Sequence, residues 1–314
     1  MISESGAETN NSQSLRKPTR FRNLKKRNKT MEEMKLITIS GMTFDYGRKN
    51  RKVFDNFSLT FERGSIYGLL GKNGTGKSTL LYLMCGLLRA RTGSITFNGH
   101  DVTRRQPSVL SDIFIVPEEF DLPKVTLSSY VKANEVFYPK FSHDVLDTCL
   151  KHFDMGININ LGELSLGQKK KAFMCFALAT NTSLLLMDEP TNGFDIPSKS
   201  QMRKVIASGM NDERTIIIST HQVRDVENLL DRVVMIDRGE VLIDKTCMEL
   251  TEKFCFAEQP LSEPTDDSLY VQQSLNGNSV IMENREGEES NLNLELLFNA
   301  MLSNREKMTE IINK

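Results

Sequence analysis

No apolar run in these 314 residues approaches the ~18 needed to cross a bilayer. Any membrane role is therefore expected to come through a partner. Cysteine is scarce and unpatterned. The five (Cys85, Cys149, Cys175, Cys247, Cys255) form no C-x-x-C pair and no His/Cys cluster. Several sit inside apolar segments, as buried free thiols do in a reducing compartment. The first residues lack the apolar stretch of a secretory signal and are not expected to act as one. Net charge is only −1, so bulk charge gives no reason to expect nucleic acid. There is no internal repeat. What is present is ordinary for a globular chain with a sizeable core: 26% charged and 39% hydrophobic residues.

The charge is placed unevenly. Residues 1–30 carry eight Lys/Arg against Glu4 and Glu8, a net of +6. This polar stretch, taken with residues up to 34, is expected to be a disordered extension; contact with anionic lipid headgroups or nucleic acid is the functional alternative. Residues 251–314 carry five basic against twelve acidic side chains, a net of −7. They read as a small α+β appendage. It ends in a helix whose apolar positions, Leu294, Leu297, Phe298, Met301 and Leu302, share one face. That helix is expected to pack on its own chain.

Between these ends the pattern alternates strands and helices. Leu36–Ile39 and Phe57–Phe61 alternate apolar and polar residues, with the turn-rich Gly47-Arg48-Lys49-Asn50 between them. Gly93–Gly99 is a short strand closed by Asn-Gly, and Ile113–Val116 is a buried strand stopped by Pro117. Residues 127–160 turn helical, with Val145, Leu146, Leu150 and Phe153 at helix spacing. Strands return at Ser183–Met187, Thr215–Ser219 and Val233–Ile236. The expectation is an α/β core on a mostly parallel sheet, with an antiparallel lobe before it and a helical insertion at about residues 120–180.

The densest signal is Gly71-Lys72-Asn73-Gly74-Thr75-Gly76-Lys77-Ser78, a match to the phosphate loop G-x-x-x-x-G-K-[ST] at every fixed position. A buried strand (Ser65–Leu70) precedes it and a helix (from Thr79) follows. That context aims loop N–H groups and a helix N-terminus at one point, where a triphosphate fits. Lys77 is placed for the β and γ phosphates and Ser78 for magnesium. A second motif lies about 110 residues on, where four apolar residues end in Asp188-Glu189-Pro190. Ligand sites of open α/β sheets lie at such C-terminal strand ends. Asp188 is expected to hold magnesium beside Ser78, and Glu189 to polarise a water as general base.

With Leu164-Ser165-Leu166-Gly167-Gln168 between the two motifs, the chain resembles the ATP-binding-cassette (ABC) family over roughly residues 35–245. The resemblance implies a P-loop NTPase fold that binds ATP and Mg2+. It places Tyr46 against adenine, where a plain strand aromatic is the other reading. It puts Asn192-Gly193-Phe194-Asp195 at the family's D-loop, although Asp195 could simply cap a helix before Pro197. It makes His221 the residue that contacts the γ-phosphate. Gly71, Asn73, Gly74, Thr75, Gly76, Lys77, Ser78 and Thr79 then bind one nucleotide. Ser165, Gly167, Gln168 and Asp195 face the nucleotide of a second cassette. Two positions depart from the pattern. Leu166 stands where the family keeps glycine, and Glu118, a candidate magnesium ligand, where it keeps glutamine. Lys169, Lys170 and Lys171 read as a solvated helix face, and His100, His143 and His152 as surface groups.

The expected function is ATP hydrolysis, with Lys77, Glu189 and His221 catalytic, in the ATPase subunit of a bacterial exporter-type transporter. Its partners would be a second cassette and a separate transmembrane permease, at the cytoplasmic membrane face. The expected organisation is a basic extension over 1–34, an ATPase domain over 35–250 and an appendage over 251–314. A non-hydrolysing regulatory cassette in a heterodimer, a soluble non-transport ABC ATPase and a free-standing NTPase are the alternatives.

Overall fold

The computed structural model describes residues 34–47, 52–275 and 277–313. The basic extension, except Met34, and most of the Gly47–Asn50 turn therefore lie outside the described residues. In chain order, β1 (Lys35–Phe44), β2 (Phe54–Glu62) and β3 (Ile66–Leu70) lead into α1 (Lys77–Met84). Then come β4 (Thr92–Phe97), β5 (His100–Asp101), α2 (Pro107–Leu110) and β6 (Ile113–Val116). The helical insertion holds α3 (Leu127–Asn134), α4 (His143–His152) and α5 (Leu166–Ala179). After it come β7 (Leu184–Asp188), α6 (Ile196–Ser208), β8 (Thr215–Thr220), β9 (Arg232–Asp237), β10 (Glu240–Thr246) and α7 (Cys247–Lys253). The appendage comprises β11 (Phe254–Gln259), β12 (Tyr270–Ser274), β13 (Gly277–Glu283), α8 (Leu294–Ser303) and α9 (Arg305–Asn313).

Three sheets result. The central one has the order β10-β9-β3-β8-β7-β6; β9, β3, β8, β7 and β6 run parallel and β10 pairs antiparallel at the edge. The lobe has the order β2-β1-β4-β5 and the appendage β11-β13-β12, both antiparallel.

The central strands are apolar throughout because both faces are covered. Successive side chains alternate between faces. Leu185 and Met187 of β7, and Ile216 and Ile218 of β8, face the cluster under α5 and α6. Leu184, Leu186 and Ile217 face the cluster that α1 shares with the antiparallel lobe. The first cluster continues without a break into Phe254, Ile281, Leu297, Met301 and Ile311 of the appendage. Phe176 of α5 joins the insertion to the sheet, its ring within 5.1–6.1 Å of Phe114, Tyr130, Tyr138 and Phe141.

Two sequence expectations shift. Helix α8 buries Leu294, Leu296, Leu297, Ala300 and Met301, while Phe298 and Leu302 sit at its margin. Its buried face is rotated because it packs on β13 and also on the short turn after His221. A second helix, α9, follows it, buried through Met308, Ile311 and Ile312. All five cysteines are free. Burial pushes the Cys85 and Cys247 thiols up to about 11 and about 12.

Phe176→Ala is expected to cost about 3–5 kcal/mol of unfolding free energy, the range for truncating a buried aromatic, as read by urea denaturation. A loss under about 1 kcal/mol would show that the insertion is not anchored by this ring.

Candidate functional site

The loop between β3 and α1 is shaped by glycines that no other residue could replace. Gly76 has φ of 103°, and a Cβ there would meet Phe54 Cζ and Val53 Cγ1 at 2.8 Å. A Cβ on Gly71 would lie 2.6 Å from Thr75 Oγ1 and 2.7 Å from the Ile236 carbonyl. The Thr75 hydroxyl closes the turn by donating to the Lys72 carbonyl at 2.8 Å. Lys77 folds back over the loop, donating to the carbonyls of Gly71 (2.8 Å) and Lys72 (3.2 Å). Burial depresses its pKa, and the charges of Glu189, Asp188 and Glu118 push it back up.

The two carboxylates stand at the C-terminal end of β7, beside this loop. Asp188 is fully buried and accepts a hydrogen bond from the Ser219 hydroxyl of β8. Glu189 has φ of 43°, a strained value for a side chain of its size, of the kind that gathers at functional sites. Its carboxylate accepts from Thr220 Oγ1 (3.0 Å) and the His221 N–H (3.1 Å), and lies 2.7 Å from His221 Nδ1. Lys77 Nζ is 3.8 Å from it. An ammonium, an imidazole and a carboxylate thus meet where β3, β7 and β8 end.

Around them opens a cleft of about 380 Å³, lined by Tyr46, Val53, Asn73, Gly74, Gly76, Lys77, Ser78, Thr79, Glu118, Glu189 and His221. Tyr46 is 58% exposed, and its hydroxyl shares a 2.8 Å hydrogen bond with Thr79 Oγ1. Gly71 and Asp188 are not among the lining residues, and Thr75 lines an adjoining cleft on the other side of the loop. Glu118, just past β6, accepts from Asn192 Nδ2 at 2.7 Å. The adjoining cleft, of about 530 Å³, shares Tyr46, Val53, Asn73 and Gly74 with the first, and two clefts of about 610 and 660 Å³ lie in the C-terminal region. Neither of these last two contains a glycine loop or a residue from the parallel strand ends.

Ser165, Gly167, Gln168 and Asp195 are not among the cleft-lining residues. Ser165 and Gln168 cap α5 reciprocally, and Asp195 caps α6 by accepting from the Ser198 N–H at 2.9 Å, the simpler of the two readings of its sequence. Leu166 is 61% exposed at the α5 N-terminus. The lysine run is corrected. Lys170 is buried and donates to the Asn192 carbonyl at 2.9 Å, and Lys171 lies over the Phe153 ring. The cause is helix phase, since Lys170 precedes the buried Met174 by four and Ala177 by seven. That spacing was available to sequence reading and was outweighed by the run of charge. His143, read as a lone surface group, is exposed but lies 2.9 Å from Glu135. Ser219, Thr220 and Gln222 were missed because nothing in their types marks them before β8 is placed beside β7.

A family model described as ABC transporter matches residues 54–192. The lantibiotic transport ATP-binding protein SrtF of Streptococcus pyogenes is 32% identical over 214 residues, covering 67% of this chain and 90% of the relative. The ABC transporter ATP-binding protein NatA of Bacillus subtilis is 29% identical over 242 residues, covering 75% and 95%. Among solved structures, an ATP-binding subunit of an ABC transporter shares the fold at a TM-score of 0.61 and 22% identity, covering 68% of this chain and 91% of that one. The chain therefore belongs to the ATP-binding proteins of ABC transporters, a family of ATPases.

Gly76→Ala is expected to weaken binding of a fluorescent ATP analogue at least about tenfold, because the loop can neither keep its positive φ nor clear Phe54. Affinity within about twofold of wild type would contradict the role given to this glycine.

Proposed function

We propose that the cleft between the glycine loop and the end of β7 binds and hydrolyses MgATP. The observation that carries this reading is the meeting of Lys77, Glu189 and His221 at one point, lined by the loop that builds a phosphate cradle. Lys77 would exchange its loop carbonyls for phosphate oxygens, with the N–H groups of Gly74 to Thr79 around them. Tyr46 would stack on adenine. The donors of Ser78, Asp188 and Glu118 are a hydroxyl and two carboxylates, the hard oxygens that magnesium takes. Bound there, the ion would neutralise charge on the transferred phosphoryl group. Glu189 would take a proton from the attacking water, held by Thr220 and by His221, which also reaches toward the γ-phosphate.

In this reading Ser165, Gly167, Gln168 and Asp195 act across a head-to-tail pair of cassettes. The exposure of Ser165, Gln168 and Asp195 at two helix N-termini supports it. Among the described residues no helix is long and apolar enough to span a bilayer. A separate transmembrane permease is therefore the proposed partner, with the chain peripheral on the cytoplasmic face. The streptococcal relative's name, lantibiotic transport, supports a transport role, and export is the direction proposed with it. Residues 254–275 and 277–313 hold their own three-stranded sheet and two helices, which supports treating 251–314 as an appendage to a 35–250 ATPase unit. A second reading, pairing with a different cassette, is favoured by the exposed Leu166, which adds bulk where the partner's nucleotide would sit.

Glu189→Gln is expected to lower kcat about 10²-fold or more and to trap an MgATP-dependent dimer, seen by size exclusion with light scattering. Hydrolysis at the wild-type rate contradicts the base assignment. A persistent monomer contradicts the homodimer and leaves the mixed pair.

A further inference from the structure

Lys170 is a buried cation that the site described above does not use. Its ammonium donates to a neutral acceptor, the Asn192 carbonyl, at 2.9 Å. The same Asn192 gives its side-chain N–H to Glu118 at 2.7 Å and takes one from Gln222 Nε2 at 3.0 Å. Gln222 is the neighbour of His221, and Glu118 lines the cleft. One asparagine thus joins three points: the segment after β6, the turn after β8 and, through Lys170, the core-facing side of α5. Burying an ammonium is costly unless negative charge lies near it. Burial lowers the Lys170 pKa, and the charges of Glu118, Glu189 and Glu119, in that order, oppose the fall. Glu118 itself presents a carboxylate to a cleft meant for a polyanion, and a bare carboxylate there would repel phosphate.

Resting on the MgATP reading of this cleft, we propose that Lys170 is a positioning residue: it holds Asn192 between Glu118 and Gln222 and supplies the positive charge that lets Glu118 sit beside a nucleotide triphosphate. The arrangement separates two duties. Lys77 meets the phosphates from the loop side, while Lys170 acts from below through Asn192 without touching them. Its charge matters most when no divalent cation is present to neutralise Glu118.

The test is titration of the full chain with a fluorescent ATP analogue, in excess Mg2+ and in EDTA. Lys170→Gln keeps a donor for the Asn192 carbonyl but removes the charge. It is expected to weaken binding about tenfold in EDTA and less than about threefold in Mg2+. Adding Glu118→Gln to it should restore the EDTA affinity to within about threefold of wild type. Lys170→Arg should bind as wild type does in both buffers. Glu118→Gln alone should tighten EDTA binding at least about threefold, which tests the premise that Glu118 repels phosphate even if Lys170→Gln fails to fold. Equal losses in the two buffers, a double variant as weak as Lys170→Gln, or no effect of Glu118→Gln in EDTA would each overturn the inference while the site reading stands. A wild-type chain that binds no nucleotide in Mg2+ would overturn both.

Discussion

The buried carboxylate of Glu189 is the interaction on which the rest of the site depends. An ionised group at this depth is tolerated only when donors surround it. Here they come from different elements: Thr220 and His221 from the end of β8, and Lys77 from the loop after β3. None of these is near Glu189 in sequence. They meet because β3, β8 and β7 are adjacent parallel strands that end together, and this adjacency rests on the two apolar clusters that cover the sheet. The sheet's packing therefore sets the geometry of the charges, and the strained backbone at Glu189 is held in place by the same bonds.

A second consequence concerns the C-terminal region. Helix α8 docks on the short turn that follows His221. Glu227 accepts from the Leu294 N–H at the start of that helix, and Arg224 pairs with Glu295. Burial raises the Glu227 pKa, and the Leu294 N–H and Arg224 oppose the rise. The appendage is thus in direct contact with the segment that carries the histidine. Together with Asn192, which reaches Glu118 on one side and Gln222 on the other, it makes the turn after β8 a shared junction of the molecule.

Much of this was legible in the sequence, for a definite reason. The phosphate loop is contiguous, so its residue types and spacing reveal it without tertiary knowledge. The Asp188-Glu189 strand end gains meaning only beside that loop. The parallel strands were readable because apolar runs with both faces covered leave little else they could be. The failures are equally physical. Lys170 was read by its charge instead of its helix phase. Thr220 and Ser219 become site residues only through the pairing of β7 with β8, which no local pattern announces. The contacts of Asn192 depend on three segments far apart in sequence. Helix α9 was missed because its polar composition hides a stripe of three buried residues, Met308, Ile311 and Ile312.

The most direct test of the central claim is a crystal structure of the chain with magnesium and a non-hydrolysable ATP analogue. The account predicts that Lys77 Nζ leaves the Gly71 and Lys72 carbonyls for the β and γ phosphates. Glu189, still held by Thr220, then faces the γ-phosphate. A nucleotide bound elsewhere, or a Lys77 that keeps its loop carbonyls with the analogue in place, would contradict it.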